Sequence, residues 1–299
     1  MERVDVILPA DATHDLPEVR SIGLHDLRDA LTKGLEDFWA MPTHVVFLSL
    51  IYPIAGIAIG WATLGYDVIP LLYPIATGFA LIGPIAAIGL YELSRRREMG
   101  LDTSWTHAFD VRHSPSFPAI VAVGLLLLAI FGIWLAMAHA IYVATFGYRE
   151  PVALPAFVQD VLTTREGHSL IVIGNIVGFL FALLSFSLSV VSFPLLLDRN
   201  VGAAVAIATS VRAVLRNPVM MAVWGLVVAS GLVIGSLPLF LGLALVMPVL
   251  GHATWHLYRK VVVPDLSPRP EFRPEPRAQR DPSDFPAALF FPSGRKDQT

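Results

Sequence analysis

The sequence predicts an all-α, polytopic fold, a six-transmembrane-helix bundle, on three observations. Only 15% of the 299 residues are charged while 55% are hydrophobic, against roughly a quarter charged in an ordinary soluble domain. Six apolar runs approach or exceed the about 20 residues that a helix needs to cross a hydrocarbon core about 30 Å thick. Outside the C-terminal tail, nearly all lysines and arginines fall in alternate loops between those runs.

Residues 1–22 form a polar N-terminal segment. The first 20 lack the basic start and apolar core of a cleavable signal, so insertion is expected to rest on the first membrane helix. From Gly23, the stretch GLHDLRDALTKGLEDFW sets Leu24, Leu27, Leu31, Leu35 and Phe38 at helical spacing, with Asp26, Arg28, Asp29, Lys33 and Asp37 mostly on other faces. An amphipathic helix lying on the membrane surface is predicted there. It turns at Met41-Pro42 into a first crossing near 45–64, followed by a second near 68–91 that closes on Arg95, Arg96 and Arg97.

A second surface helix is expected from Gly100 to Pro115, with Leu101, Trp105 and Phe109 four apart, leading into a crossing near 117–146. The loop 147–168 contains PAFVQDVLTT, where Phe157, Val158, Val161 and Leu162 predict a short interfacial helix. A fourth crossing follows near 170–197. A third surface helix runs from Gly202, carrying Val205, Ile207, Val211, Val214 and Leu215, and ends at Pro218. The last runs, 219–237 and 239–257, are separated only by Pro238; a re-entrant pair is the alternative, but basic residues at both outer ends favour two crossings. The membrane domain thus spans 23–263. Residues 264–299 carry eight prolines among alternating charges and are expected to be a disordered tail, with DFPAALFFP as an apolar island inside it.

Basic residues are retained on the cytoplasmic side. Arg3, Arg20, Arg28 and Lys33, then Arg95, Arg96, Arg97 and Arg112, then Arg199, Arg212 and Arg216, then Arg259 and Lys260 fall on one side, and only Arg149 and Arg165 on the other. Both termini are therefore expected to be cytoplasmic. The arginine triplet ends the second crossing there. Glu92 is a candidate partner for Arg96 one turn away, and Arg95, Arg96, Arg97 and Arg112 are candidate contacts for anionic lipid headgroups or a partner. Surface helix, proline turn and membrane hairpin recur three times, which fits either three repeats of one unit or the three entries that any six-helix protein must have.

At GLHDLRDALTKGLEDFWAMP and IATGFALIGPIAAIGLYELSRRREMGLDTSWTHAF the chain resembles a family of bacterial, mostly alphaproteobacterial, predicted integral membrane proteins of unknown function. Asp37, Phe38 and Pro42 carry the resemblance, with Gly83, Pro84, Gly89, Leu90, Tyr91, Glu92, the triplet, and Trp105. It extends over about residues 23–260 and implies a six-helix inner-membrane protein without an assigned activity. Some relatives bear a cytochrome oxidase subunit I label. A haem-copper centre needs several histidines deep in the membrane, whereas only His139 and His252 of the nine histidines lie well inside a crossing.

His252 and His256, four apart on the last helix, have the spacing of two ligands on one face. His139 and His252 enter from opposite sides, each about 12 Å deep at 1.5 Å per residue, which does not favour a shared metal. Asn175 in GNIVG, the stripe Ser185, Ser189 and Ser192, and His139 support two readings, a polar path for a small solute or hydrogen bonds between packed helices. Gly56 to Gly60, Gly174 to Gly178 and Gly231 to Gly235 have the spacing of close helix packing. Pro53, Pro74, Pro84, Pro194 and Pro248 interrupt crossings, as discontinuous transport helices do, but no carboxylate accompanies them in the membrane core.

Cysteine is absent, which excludes thiolate nucleophiles and Cys-based metal centres. There is no P-loop and no dinucleotide fingerprint. The sequence therefore predicts no enzyme and no cofactor. The expected protein is a lipid- or protein-binding accessory factor of the inner membrane, or alternatively a small-solute permease along the fourth helix. Its partners are membrane lipids and another membrane protein or complex, not nucleic acid.

Overall fold

A computed structural model describes residues 16–41, 56, 69–148, 154–238 and 241–265. The expected first crossing, with Pro53 and the Gly56 to Gly60 spacing, lies outside these apart from Gly56, as does nearly all of the tail. Among the described residues the protein is helical, with one antiparallel backbone bridge, Val19 to Val262.

Helix α1, Leu24–Ala40, begins after Gly23, whose N–H donates to Asp26 Oδ2 at 2.9 Å and so satisfies one free donor of the first turn. It buries only part of the expected stripe, Leu27 and Phe38, with Leu31 packed partly buried against the core. The buried face is Leu27, Ala30, Gly34, Asp37 and Phe38, while Leu24, Leu35 and Trp39 are exposed. The reason is close approach to the last helix: a Cβ on Gly34 would lie 2.6 Å from the Ala253 backbone. Small residues permit that distance and leucine does not.

The expected second crossing is broken into pieces. A 3-10 turn Ile69–Leu71 precedes α2, Leu72–Gly78; a second turn, Phe79–Ile82, precedes α3, Gly83–Ala86; and α4, Ile88–Glu98, completes the run. Pro70, Pro74 and Pro84 each fall in the first turn of a new piece, where a residue without an N–H costs least. The indole N–H of Trp134 donates to the carbonyl of Pro74 at 3.0 Å, and Thr77 Oγ1 donates to that of Tyr73 at 2.8 Å. Gly100, at φ +69, ends α4: its N–H bonds Arg97 O while the N–H of Leu101 reaches Arg96 O, the hydrogen-bond pair of a left-handed helix stop.

Where a second surface α-helix is expected, Trp105–His113 forms a 3-10 helix. His107 bridges Asp102 and Asp110, and Asp102 accepts the Ser104 N–H, local bonds that compete with the α-helical ladder. Helix α5, Phe117–Phe146, follows, then α6, Leu154–Thr163, in the expected interfacial loop, with Phe157 against Tyr142 and Phe146. Helix α7, Arg165–Ser189, is capped by Thr164 Oγ1, which accepts from the Gly167 N–H at 3.0 Å.

The expected fourth crossing stops at Val190 and resumes as α8, Ser192–Asp198. Pro194 causes the break, because its ring opposes the carbonyl four residues earlier, at Val190. Ser210 Oγ takes the Val191 N–H at 3.2 Å. Helix α9, Gly202–Arg216, leads to α10, Pro218–Ser236, and α11, Leu243–Val261, is the last described helix. Like α1, α9 turns small residues inward (Ala203, Ala206, Ser210, Ala213) and leaves Leu215 73% exposed.

Three helical stretches, Phe117–Phe146, Arg165–Asp198 and Pro218–Ser236, are long and apolar enough to cross a membrane, and much of their surface faces outward. The core lies instead toward one end, around α8, whose Phe193, Leu195, Leu196 and Leu197 are buried with Trp224, Trp255 and Tyr258. The basic loops gather at this end. Ser116 donates to Arg199 O, Asn217 Nδ2 donates to Arg20 O, and Val19 pairs with Val262.

Candidate functional site: a buried polar network at the basic end

The arginine triplet is the hub of the basic end. Three successive helical residues point about 100° apart, so each arginine meets a different element. Arg95 turns back to Glu92 in a two-pronged pair at 2.7 and 2.8 Å, with side chains only 1% and 0% exposed. Arg96 faces the 3-10 helix, donating to Asp102 O at 2.6 Å and standing 3.6 Å from Asp110. Arg97 reaches Asp37 on α1.

These partners correct the sequence reading on two points. Glu92 pairs with Arg95 rather than Arg96. Arg95 and Arg96 are buried and committed to protein partners, which leaves Arg95 no face for a lipid headgroup. Arg97 is partly exposed. Arg112 is exposed at the end of the 3-10 helix.

Asp37 joins three helices. Its Oδ2 accepts from Ser94 Oγ of α4 at 2.5 Å and from His256 Nε2 of α11 at 2.9 Å, and its Oδ1 from Arg97. A carboxylate only accepts, so the Ser94 proton is spent on Asp37, and His252 Nδ1, 2.6 Å from Ser94 Oγ, is the donor to that oxygen. Burial opposes the charge of Asp37. The bonds from His256 and Ser94 outweigh that and hold its carboxyl below the usual carboxylate range.

A second branch continues the network. Glu98 receives Arg259 at 2.9 Å and the Trp255 indole at 3.0 Å. Asp198 of α8 receives Tyr258 at 2.6 Å and Arg259 at 3.4 Å. At the edge of α1, Asp29 accepts Lys260 at 2.7 Å, which lowers its pKa. A cleft of about 350 Å³ opens above Asp37 and Ser94, its rim setting Lys33, Arg97 and Arg259 against Glu36 and Glu98.

Serine, histidine and aspartate in contact suggest a hydrolase triad, but the order is wrong. In a triad histidine stands between the other two and takes the serine proton. Here serine stands between them, and His252 Nδ1 is 3.8 Å from Asp37. His252 is also fully buried and does not line the cleft. The arrangement fastens α1, α4 and α11 together.

His252 and His256 share a helical face, with both rings turned to protein groups. Among the described residues no group of three or more His, Cys, Asp or Glu is placed to hold a metal ion. The expected polar path is divided. Ser185, Ser189 and Ser192 are buried; Ser189 donates to the Ser185 carbonyl within α7, and Ser192 donates across the break to the Leu188 carbonyl. Asn175 and His139 are exposed, and Asn175 accepts from Tyr73 at 2.9 Å and donates to Ile171 O at 2.7 Å. The two sets thus face different surroundings.

Sequence reasoning gave no site role to Ser94, Glu98 or Asp198, nor to Asp37, which it used only in the helix pattern and the family resemblance. One signal for Asp37 was present, because it lies three residues after Gly34 and seven after Ala30, on the small-residue face rather than among the charges.

Residues 72–198 match the model of a family described as a predicted integral membrane protein (DUF2189). No curated protein and no solved structure matches. Together with the three long apolar helices, the family match identifies a helical integral membrane protein. The matched stretch runs from α2 to the end of α8. It contains Glu92, Ser94 and the arginine triplet, while Asp37, His252 and His256 lie outside it.

Proposed function

We propose that this protein is a multi-pass protein of a bacterial inner membrane, with both termini cytoplasmic. It acts without catalysis, binding lipid or another membrane protein at its basic end, where Arg97 and Arg112 remain open to contact. The observation that carries this reading is the convergence of the basic loops. They meet at one end, are locked there by Asp37, Glu98 and Asp198, and have the N-terminal segment paired to the exit of the last helix through Val19 and Val262. A chain that leaves from the side it enters crosses an even number of times, which supports the six-crossing arrangement.

Two measurements test it. A reporter fused after Lys260 should be active only in its cytoplasmic form; an extracytoplasmic signal overturns the topology. Gentle solubilisation should bring down a stoichiometric protein or lipid, and a bare monomer overturns the binding role.

A small-solute permease is the second reading, supported by the interruptions at Pro74, Pro84 and Pro194. Proteoliposomes that swell in small polar solutes faster than protein-free vesicles would favour it.

A further inference from the structure

Arg212 and Arg216 stand one turn apart on α9 and, with Glu18, Val19 and Leu215, line a cleft of about 360 Å³. Both arginines are exposed. Neither forms an ion pair with a described residue, in contrast to Arg95, Arg96, Arg97, Arg199 and Arg259, each of which faces a carboxylate. Two guanidinium groups against the single carboxylate of Glu18 leave the cleft net positive. Paired forked donors of this kind suit a phosphate group.

The apolar surroundings indicate what carries that phosphate. Leu215 projects beside the cleft, 73% exposed. Immediately after the Asn217 turn, α10 begins, and its Val219, Leu226 and Val233, seven residues apart and therefore on one face, are each more than 60% exposed. Only 17% of the apolar window of α10 is buried, and the helix is long enough to cross a membrane. A charged cleft is thus followed along the chain, after the Asn217 turn, by an exposed apolar face on a helix long enough to cross a membrane. Free phosphate would use the arginines and gain nothing from that face. A phospholipid uses both.

We propose that the Arg212 and Arg216 cleft binds the phosphate of an anionic phospholipid, with acyl chains laid along Val219, Leu226 and Val233. The proposal rests on the lipid-binding reading above and adds a headgroup contact on α9 to the open Arg97 and Arg112.

The test uses full-length protein in neutral detergent, exchanged with phosphatidylglycerol, phosphatidylcholine or inorganic phosphate and examined by native mass spectrometry. Phosphatidylglycerol should be retained one per chain in preference to phosphatidylcholine, retention should fall with added salt, and inorganic phosphate should not be retained. The double variant Arg212→Gln and Arg216→Gln should lose retention roughly tenfold, as expected for two basic groups facing an anionic headgroup. Arg165→Gln, at the opposite end, should change nothing. Restoring charge with Arg212→Lys and Arg216→Lys should recover part of the binding, which separates loss of the site from loss of the fold. Undiminished phosphatidylglycerol in the glutamine double variant overturns the cleft but leaves the lipid-binding reading standing. Retention of neither lipid by the unaltered protein overturns both. Retention of inorganic phosphate alone, or a dimer without lipid, overturns the proposal in favour of a free anion or a second copy.

Discussion

The Glu92 and Arg95 pair offers the sharpest quantitative test of the network. Both groups are nearly inaccessible and meet through two hydrogen bonds of 2.7 and 2.8 Å. With charge centres about 4 Å apart and an effective dielectric of about 20, their attraction is about 4 kcal/mol. Desolvating both charges consumes much of that, so the pair as a whole adds little net stability. Removing one partner is different, because it strands a buried charge at a cost of about 3–5 kcal/mol. Glu92→Gln should therefore lower the unfolding midpoint by on the order of 10 °C in a domain of this size. The double variant Glu92→Leu and Arg95→Met, which replaces the charges with apolar side chains, should recover most of that loss. Thermal unfolding of the purified protein in one detergent, followed by tryptophan fluorescence, measures both. A midpoint for Glu92→Gln within about 1 °C of the unaltered protein, or a double variant as unstable as the single one, would refute the claim that the two buried charges compensate each other.

Three further outcomes follow from the same geometry. Gly34→Val places a Cβ 2.6 Å from the Ala253 backbone and should destabilise the contact of α1 with α11 by about 1–3 kcal/mol or more, whereas Gly23→Ala, with nothing within 4 Å of its Cβ, should be close to neutral; the unfolding midpoints decide. The carboxyl of Asp37 is held below its ordinary value of 3.8, so its contribution is complete above that pH and is lost as pH falls through the depressed value; Asp37→Asn should flatten the stability profile below about pH 4, and an unchanged acid limb would count against the bonds from His256 and Ser94. Asn217→Ala removes the bonds to the Ile22 N–H at 2.8 Å and to Arg20 O at 2.9 Å; hydrogen exchange over residues 16–22 should rise, with a stability loss of about 1–3 kcal/mol.

The sequence by itself determined the fold class, because a chain with 15% charged residues and long apolar runs has no way to bury its surface except in lipid. It also marked several breaks, since proline lacks an N–H wherever it stands, and the segments around Pro74, Pro84 and Pro194 are interrupted accordingly. What it did not reveal was which face of each flanking helix turns inward. Leu24, Leu35 and Leu215 look like a core by periodicity and are exposed, because hydrophobicity alone does not distinguish a face that meets lipid from one that meets protein. Interhelical distance makes that distinction, and Gly34 against Ala253 sets it. The partners of the arginine triplet were likewise decided only in three dimensions. Asp37 is sixty residues from Arg97, and His256 lies more than two hundred from Asp37. No local pattern encodes contacts across such separations; they follow from how α1, α4 and α11 pack together.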